Sequence, residues 1–400
     1  MKKRVLTLAG LLLSAAVCAQ ASQKIITFDH AYKGSVDKSI ESVGGKVTRH
    51  FRSIDAVVAD FPADTKNAAI YSLSGVNTVE EDSYIRWIEE APAAMNTVPL
   101  PTVESALAGI RAGEGLETPA VGAPRADVNP AEVPWGVKRV NAPAAWDCTA
   151  GRGVKVAIID TGMDYTHPEL APNYKGGYNA IVSTASPMDD HGHGTHVSGT
   201  IGAVRDSNGV VGVAPEASLY AVKVLDKNGS GQYSWIIAGI DWAITNHMNV
   251  INMSLGGGQG NEALKQVMQK AGEAGVTVVC AAGNDSGPVN YPAKYPQAIA
   301  VSASDSSDKI ASFSSRGAEI AVIAPGVNIY STRKGGGYTT MSGTSMASPH
   351  VAGLAALAVG AGAKTPDEVR NALAGAAAKL PNLKPTDQGA GLVDAFKLVR

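Results

Sequence analysis

Hydrophobic positions in this chain change period at two points, which divides it into regions. Between residues 22 and 88 short apolar runs alternate with helix-spaced ones. Ile25 to Phe28 reads as a strand, Ser35 to Val43 as a helix, Val47 to Phe51 and Ala56 to Phe61 as paired strands. Thr65 to Leu73 reads as a second helix and Val76 to Ile88 as a last strand. This β-α-β-β-α-β order predicts a small ferredoxin-like α+β unit. From residue 89 to 133 the pattern lapses into Pro, Ala, Gly, Glu and Thr, the signature of a flexible linker. From 134 to 400 near-continuous apolar runs return, at Val154 to Ile159, Ser218 to Leu225, Val250 to Met253, Val276 to Ala281, Ile299 to Ser302 and Ile320 to Ile323. Runs without in-out alternation suit strands covered on both faces. Helical stretches intervene at Gly194 to Val204, Tyr233 to Asn246, Glu262 to Ala274 and Ser345 to Val359. Strands alternating with helices predict an α/β domain built on a doubly wound, mostly parallel sheet. Thr365-Pro366-Asp367-Glu368 adds an N-cap, an N1 proline and a reciprocal glutamate for a surface helix reaching about Leu380.

Residues 1 to 21 follow a different rule. Met1-Lys2-Lys3-Arg4 is basic, Val5 to Val17 is apolar, and Ala19-Gln20-Ala21 is a small-residue cleavage site. That combination predicts a secretory signal peptide. Its apolar run is too short to span a bilayer, and no other segment predicts a membrane anchor. With a net charge of −2 and no dense basic run after the N-terminus, nucleic acid is not an expected partner. Cys148 and Cys280 remain after the signal, and Cys280 within an apolar strand reads as a buried free thiol.

Candidate chemistry gathers at the C-terminal ends of the predicted strands, where open parallel sheets place their sites. Asp160 ends the first of them, in Val-Ala-Ile-Ile-Asp-Thr-Gly. Three histidines crowd Asp189-Asp190-His191-Gly192-His193-Gly194-Thr195-His196. Zinc is the rival reading there, but His-Glu-x-x-His is absent and so is a neighbouring cysteine ligand. Ser345 stands in Gly-Thr-Ser-Met-Ala-Ser-Pro-His. Pro349 is best tolerated in a first turn, which puts the serine at a helix N-terminus, where negative charge is favoured.

Asp, His and Ser in this order, each within an extended signature, make the chain resemble the subtilisin-like serine proteases. The resemblance implies roles. Ser345 would be the nucleophile, His193 the base and Asp160 its orienting acid, with His196 structural and His191 at the rim. Asn284, in Ala281-Ala282-Gly283-Asn284, matches the oxyanion asparagine. Gly229-Ser230-Gly231 and Ser254-Leu255-Gly256-Gly257 match the two edges that hold an extended peptide, and Ala281 to Gly283 would complete the primary pocket. Those walls carry no charge, which favours a large apolar side chain on the acyl side of the cut (P1). Val204 to Val210 resembles the family's calcium loop. Val204, Asn208 and Val210 would supply carbonyls, Asp206 a carboxylate, and Glu169 stands where relatives carry aspartate.

The resemblance also implies that residues 22 to 88 are an inhibitor propeptide and folding aid, and Val79-Glu80-Glu81-Asp82 matches its tail. Trp87 or Ile88 would then be P1 of a first self-cleavage, with later trimming between Ala120 and Ala131. The expected whole is a secreted, monomeric endopeptidase acting on polypeptides. A catalytically silent peptide-binding relative is the alternative.

Overall fold

The computed structural model describes residues 22–89, 131–257 and 259–400. The expected signal segment and nearly all of the expected linker lie outside them. The described chain divides into two compact units, one comprising the residues up to His50 with Val57–Glu81, the other Phe51–Ala56 with Asp82–Arg400.

The smaller unit is a four-stranded sheet in the order β2-β3-β1-β4. Its strands are β1 (Ser22–Phe28), β2 (Lys46–His50), β3 (Ala56–Phe61) and β4 (Val76–Glu81). The β1–β4 and β2–β3 pairs are antiparallel. Helices Val36–Ser42 and Asn67–Tyr71 carry Ile40 and Ile70 into a core with Ile26, Phe28, Val57 and Phe61. The last strand stops at Glu81, earlier than expected, and the chain resumes as β5 (Tyr84–Arg86) in the larger unit.

Nine strands form the main sheet of the larger unit, in the order β16-β17-β13-β12-β11-β10-β6-β8-β7. They comprise β6 (Lys155–Asp160), β7 (Tyr174–Asn179), β8 (Ser218–Lys223), β10 (Val250–Met253), β11 (Thr277–Ala281), β12 (Ala298–Ser304), β13 (Ile320–Pro325), β16 (Ala377–Ala378) and β17 (Leu392–Val393). The β16–β17 pair is antiparallel, and the pairs from β17 across to β7 run parallel. Strands β10, β11 and β12 are buried along their whole length, as unbroken apolar runs require. Strand β6 pairs with β8 on one side and β10 on the other, so strand order reverses beside it. A doubly wound sheet opens a crevice at the carboxyl end of such a switch point.

Helix Thr344–Gly360 packs across β10 to β13 and against helix His193–Gly202. Its alanines and glycines let it lie close to the sheet. Pro349 sits in its second turn, one turn later than expected. Proline has no N–H for the carbonyl four residues back, and that carbonyl, Ser345 O, accepts from the Ser254 hydroxyl at 2.8 Å instead. The helix opened by Thr365 runs Pro366–Ala376 and gives way to β16, short of Leu380. Thr365 caps Glu368 N–H as expected, but the Glu368 carboxylate accepts from Lys364 N–H, not from Thr365. Among the described residues Cys148 and Cys280 are free, Cys280 buried and Cys148 exposed.

Candidate active site

Asp160, the last residue of β6, is wholly buried. A lone carboxylate there would be costly, and partners surround it. Thr161 N–H donates to Oδ1 at 2.7 Å. His193 Nδ1 lies 2.9 and 3.0 Å from the two carboxylate oxygens. That bond leaves Nε2 of His193, which is buried and without a hydrogen-bond partner. Burial, the largest influence on this ring, favours its neutral form, but the charge and hydrogen bond of Asp160, with Asp189 adding, hold its pKa above the ordinary value.

His193 begins a helix whose start is fixed by a residue the sequence reading passed over. Asp189 accepts from the N–H groups of His191, Gly192 and Thr195 and from the hydroxyls of Thr161 and Thr195, at 2.6 to 2.9 Å. Lys223 is the second such residue. Its buried ammonium donates to Thr161 O, Leu225 O and Asp190, so the loops after β6 and β8 share one cation. An acid just ahead of the helix and a lysine inside an apolar run were the available signals.

The three crowded histidines have separate partners. His191 Nδ1 accepts from His193 N–H at 3.3 Å. His196 donates through Nε2 to Ile329 O, and burial lowers its pKa to about 3, so it is a neutral structural ring. Among the described residues no group of three or more His, Cys, Asp or Glu is arranged to hold a metal.

Ser345 is the second residue of its helix and 6% exposed. Its hydroxyl donates to Ser254 O at 3.2 Å. Asn284 follows β11 and reaches the same place: Thr344 N–H and its hydroxyl donate to Asn284 Oδ1, which turns the amide nitrogen outward. Gly283 holds φ +118°, and a Cβ there would stand 2.5 Å from Asn290 Nδ2, so only glycine lets the Asn284 turn form.

The two expected edges frame a strand supplied by the chain itself. β5 pairs antiparallel with β9 (Ser230–Gln232), Ile85 opposite Gly231 and Arg86 opposite Ser230. Trp87 N–H and Ile88 N–H donate to Gly229 O, and Gly256 N–H donates to Trp87 O at 2.9 Å. Trp87 is 1% exposed; its indole N–H reaches Gly231 O and its ring meets Tyr233 edge-on at 4.9 Å. Leu255, Gly256, Ala281, Gly283, Asn284, Asn290, Thr344 and Ser345 border a small cavity together with Trp87 and Glu89. Ser254 and Ala282 lie fully buried behind it, and Gly257 pairs with Tyr291.

The expectation that Trp87 or Ile88 would present its carbonyl to the site is corrected here. The carbonyl that meets Asn284 Nδ2, at 3.0 Å, belongs to Glu89.

Away from this cleft, Glu169 and Glu132 are both 2% exposed. Tyr338 donates to one oxygen of Glu169 and Asp206 N–H to one of Glu132, while Oε2 of each is buried without a partner. Burial raises both carboxyl pKa values, with nearby acids adding to the effect. Asp206 is exposed and caps its own loop through Asn208 N–H. Val204 N–H donates to Glu169 O, so this loop and Glu169 are neighbours. Glu132 carried no motif in the sequence.

Known proteins resemble this chain at the level of sequence. Residues 151–392 match the family model described as the subtilase family. Subtilisin amylosacchariticus of Bacillus subtilis subsp. amylosacchariticus is 56% identical over 232 residues, which cover 56% of this chain and 60% of the relative. Subtilisin E of Bacillus subtilis matches over the same shares. Subtilisin Savinase of Lederbergia lenta is 47% identical over 274 residues, 67% of this chain and 99% of the relative. The alignment thus spans under two thirds of the length of the first two relatives and nearly all of the third. With residues 151–392 matched by the family model, and a relative 47% identical over 67% of this chain and 99% of its own length, the chain belongs to the subtilase family.

Proposed function

We propose that this protein is a secreted serine endopeptidase that hydrolyses polypeptides through an acyl-enzyme. The observation that carries the reading is the grip of buried Asp160 on His193 Nδ1, which leaves Nε2 unpartnered to accept a proton. Ser345 Oγ would attack the peptide carbonyl as His193 takes its proton, and Asp160 would stabilise the resulting imidazolium. The Asn284 amide and Ser345 N–H would receive the developing oxyanion, at a helix start whose first N–H groups lack intrahelical partners.

Residues 22–88 would serve as the inhibitor propeptide. Their β-α-β-β-α-β order and sheet order support a ferredoxin-like unit, and the β5–β9 pairing supports a tail that occupies the substrate groove. Residues 1–21 would direct export. Among the described residues no helix is long and apolar enough to cross a membrane. The orphaned buried oxygens of Glu132 and Glu169 fit a bound cation. Calcium accepts mixed oxygen donors, so these two carboxylates with the carbonyls of Val204, Asn208 and Val210 in the neighbouring loop would hold it as a structural ion.

The test is Ser345→Ala with peptide hydrolysis and fluorophosphonate labelling as readouts. Loss of both is expected; in subtilisin itself the nucleophile knockout loses about 10⁶ in kcat. An unlabelled, inactive wild-type protein that still binds peptide would instead establish a silent binder.

A further inference from the structure

Three consecutive carbonyls at the end of the bound tail have three different partners. Trp87 O accepts from Gly256 N–H at 2.9 Å. Ile88 O accepts from Nε of Arg86 in its own segment, at 3.0 Å. Glu89 O accepts from Asn284 Nδ2 at 3.0 Å, and Glu89 borders the cavity that contains Ser345. A carbonyl poised for attack must face the oxyanion donor, and a carbonyl already spent on the groove edge or on an intrasegment bond does not.

We infer that the first self-cleavage breaks the peptide bond after Glu89, with Trp87 two residues upstream as the anchor. This rests on the protease reading above. Ser345 Oγ adds to the Glu89 carbonyl carbon while His193 Nε2 takes the hydroxyl proton. The C–N bond to Glu90 then breaks, and that proton leaves on the amine of Glu90. Water hydrolyses the ester, which releases the Glu89 carboxylate and restores Ser345.

The anchor assignment follows from burial. Trp87 is almost completely covered, its indole N–H is satisfied by Gly231 O, and its ring meets Tyr233 and the face of Gly257. Tryptophan buries a large apolar area and is among the residue types enriched at binding hot spots, and a satisfied indole N–H removes the cost of burying it. Glu89 is exposed. Recognition is therefore concentrated upstream of the cut, and an acid can occupy the position beside it. The same geometry predicts that unrelated substrates with a large aromatic residue two positions before P1 are preferred.

The full chain and its Ser345→Ala and Glu90→Pro variants are expressed in a host depleted of other proteases, and early products are read by intact mass and N-terminal sequencing. The expected first product of the wild-type chain begins at Glu90. Proline at 90 should block that cut, because its ring crowds the leaving nitrogen. A first product beginning at Ile88 or Glu89, or normal processing of the Glu90→Pro chain, overturns the assignment while leaving a protease. Absence of any Ser345-dependent cut overturns the protease reading itself. Because a full-length variant can fail to fold, processed enzyme is also given synthetic peptides spanning Asp82 to Ala93. Cleavage after Glu89 should slow by about tenfold or more when Trp87 is replaced by alanine, the loss expected for a buried anchor. An unchanged rate removes Trp87 from the assignment, and a cut elsewhere in the unmodified peptide overturns the register.

Discussion

Thr344 decides which end of the Asn284 side chain faces the cleft: its N–H and hydroxyl donate to Asn284 Oδ1 at 2.8 and 2.9 Å. An amide held at its oxygen can only offer its NH₂ to a substrate carbonyl. Replacing Asn284 by leucine keeps the volume and removes that donor. The loss should fall on kcat with KM little changed; in subtilisin itself, removal of such a donor costs about 10²–10³ in kcat. Thr344→Val, which deletes one of the two orienting donors, should lose less, about tenfold at the value of one hydrogen bond. Steady-state kinetics on one peptide decides it. A rise in KM at constant kcat would reassign Asn284 to ground-state binding.

The His193 imidazole titrates above its ordinary 6.5 because Asp160 outweighs the opposing effect of burial. Catalysis needs the neutral ring, so kcat/KM should climb as pH rises through that elevated pKa. In Asp160→Asn only the lesser raising influence of Asp189 remains against burial, and the acid limb of the remaining activity should move to lower pH. The stability consequence has the opposite direction. Folding favours protonated His193, so that contribution is complete below the unfolded pKa and is lost as pH rises through the folded one. Thermal unfolding of Ser345→Ala from pH 5 to 9 should show the decline, and Asp160→Asn in the same background should flatten it.

Calcium should stabilise without taking part in the chemistry. The buried, unpartnered Oε2 atoms of Glu132 and Glu169 are the atoms it would satisfy. A ligand that binds only the folded state adds about 2.7 kcal/mol at a hundredfold excess over Kd. EDTA should therefore shorten the half-life at elevated temperature while initial rates at room temperature persist. Glu169→Gln should abolish the gain from added calcium. Immediate loss of activity that zinc alone restores would return attention to the histidine cluster.

Much of this arrangement was legible because its physics is local. Buried parallel strands need continuous apolar runs, and β6, β8, β10, β11, β12 and β13 carry them. Strand β7 escaped because Tyr-Lys-Gly-Gly-Tyr-Asn has no such run; Gly177 is required there, since a Cβ would collide with Ala221 O. The hairpin of β14 (Ile329–Thr332) and β15 (Tyr338–Met341) also escaped, its four-residue strands being too short to show a period. Asp160 ends an apolar strand, and His193, Asn284 and Ser345 each sit in a recognisable turn or helix start. Asp189, Lys223 and Glu132 gain meaning only from partners distant in sequence. The contact of Glu89 O with Asn284 was hidden for a further reason: an apolar residue is the natural choice beside an apolar pocket, and the sequence offers no sign that the Trp87 ring packs on Tyr233 and Gly231.

The primary pocket yields the last prediction. Leu255, Gly256, Ala281 and Gly283 present no charge to it, and Asn290 adds only an amide. Asp285, the nearest acid in sequence, is committed elsewhere: Ser315 Oγ and Gly287 N–H donate to it, and although burial pulls the other way these bonds hold its pKa below the usual carboxylate range. An arginine at P1 would thus find no counter-charge, and an aspartate or glutamate would find no cation. Peptides built on the tail, with Trp held two residues before the cut, should be cleaved faster with Leu, Met, Phe or Tyr at P1 than with Arg, Asp or Glu. A difference of about tenfold corresponds to leaving one polar group without its partner. The comparison uses kcat/KM across that single-position series. A preference for arginine would mean that Asp285 turns into the pocket when substrate binds, and Asp285→Asn would then erase it.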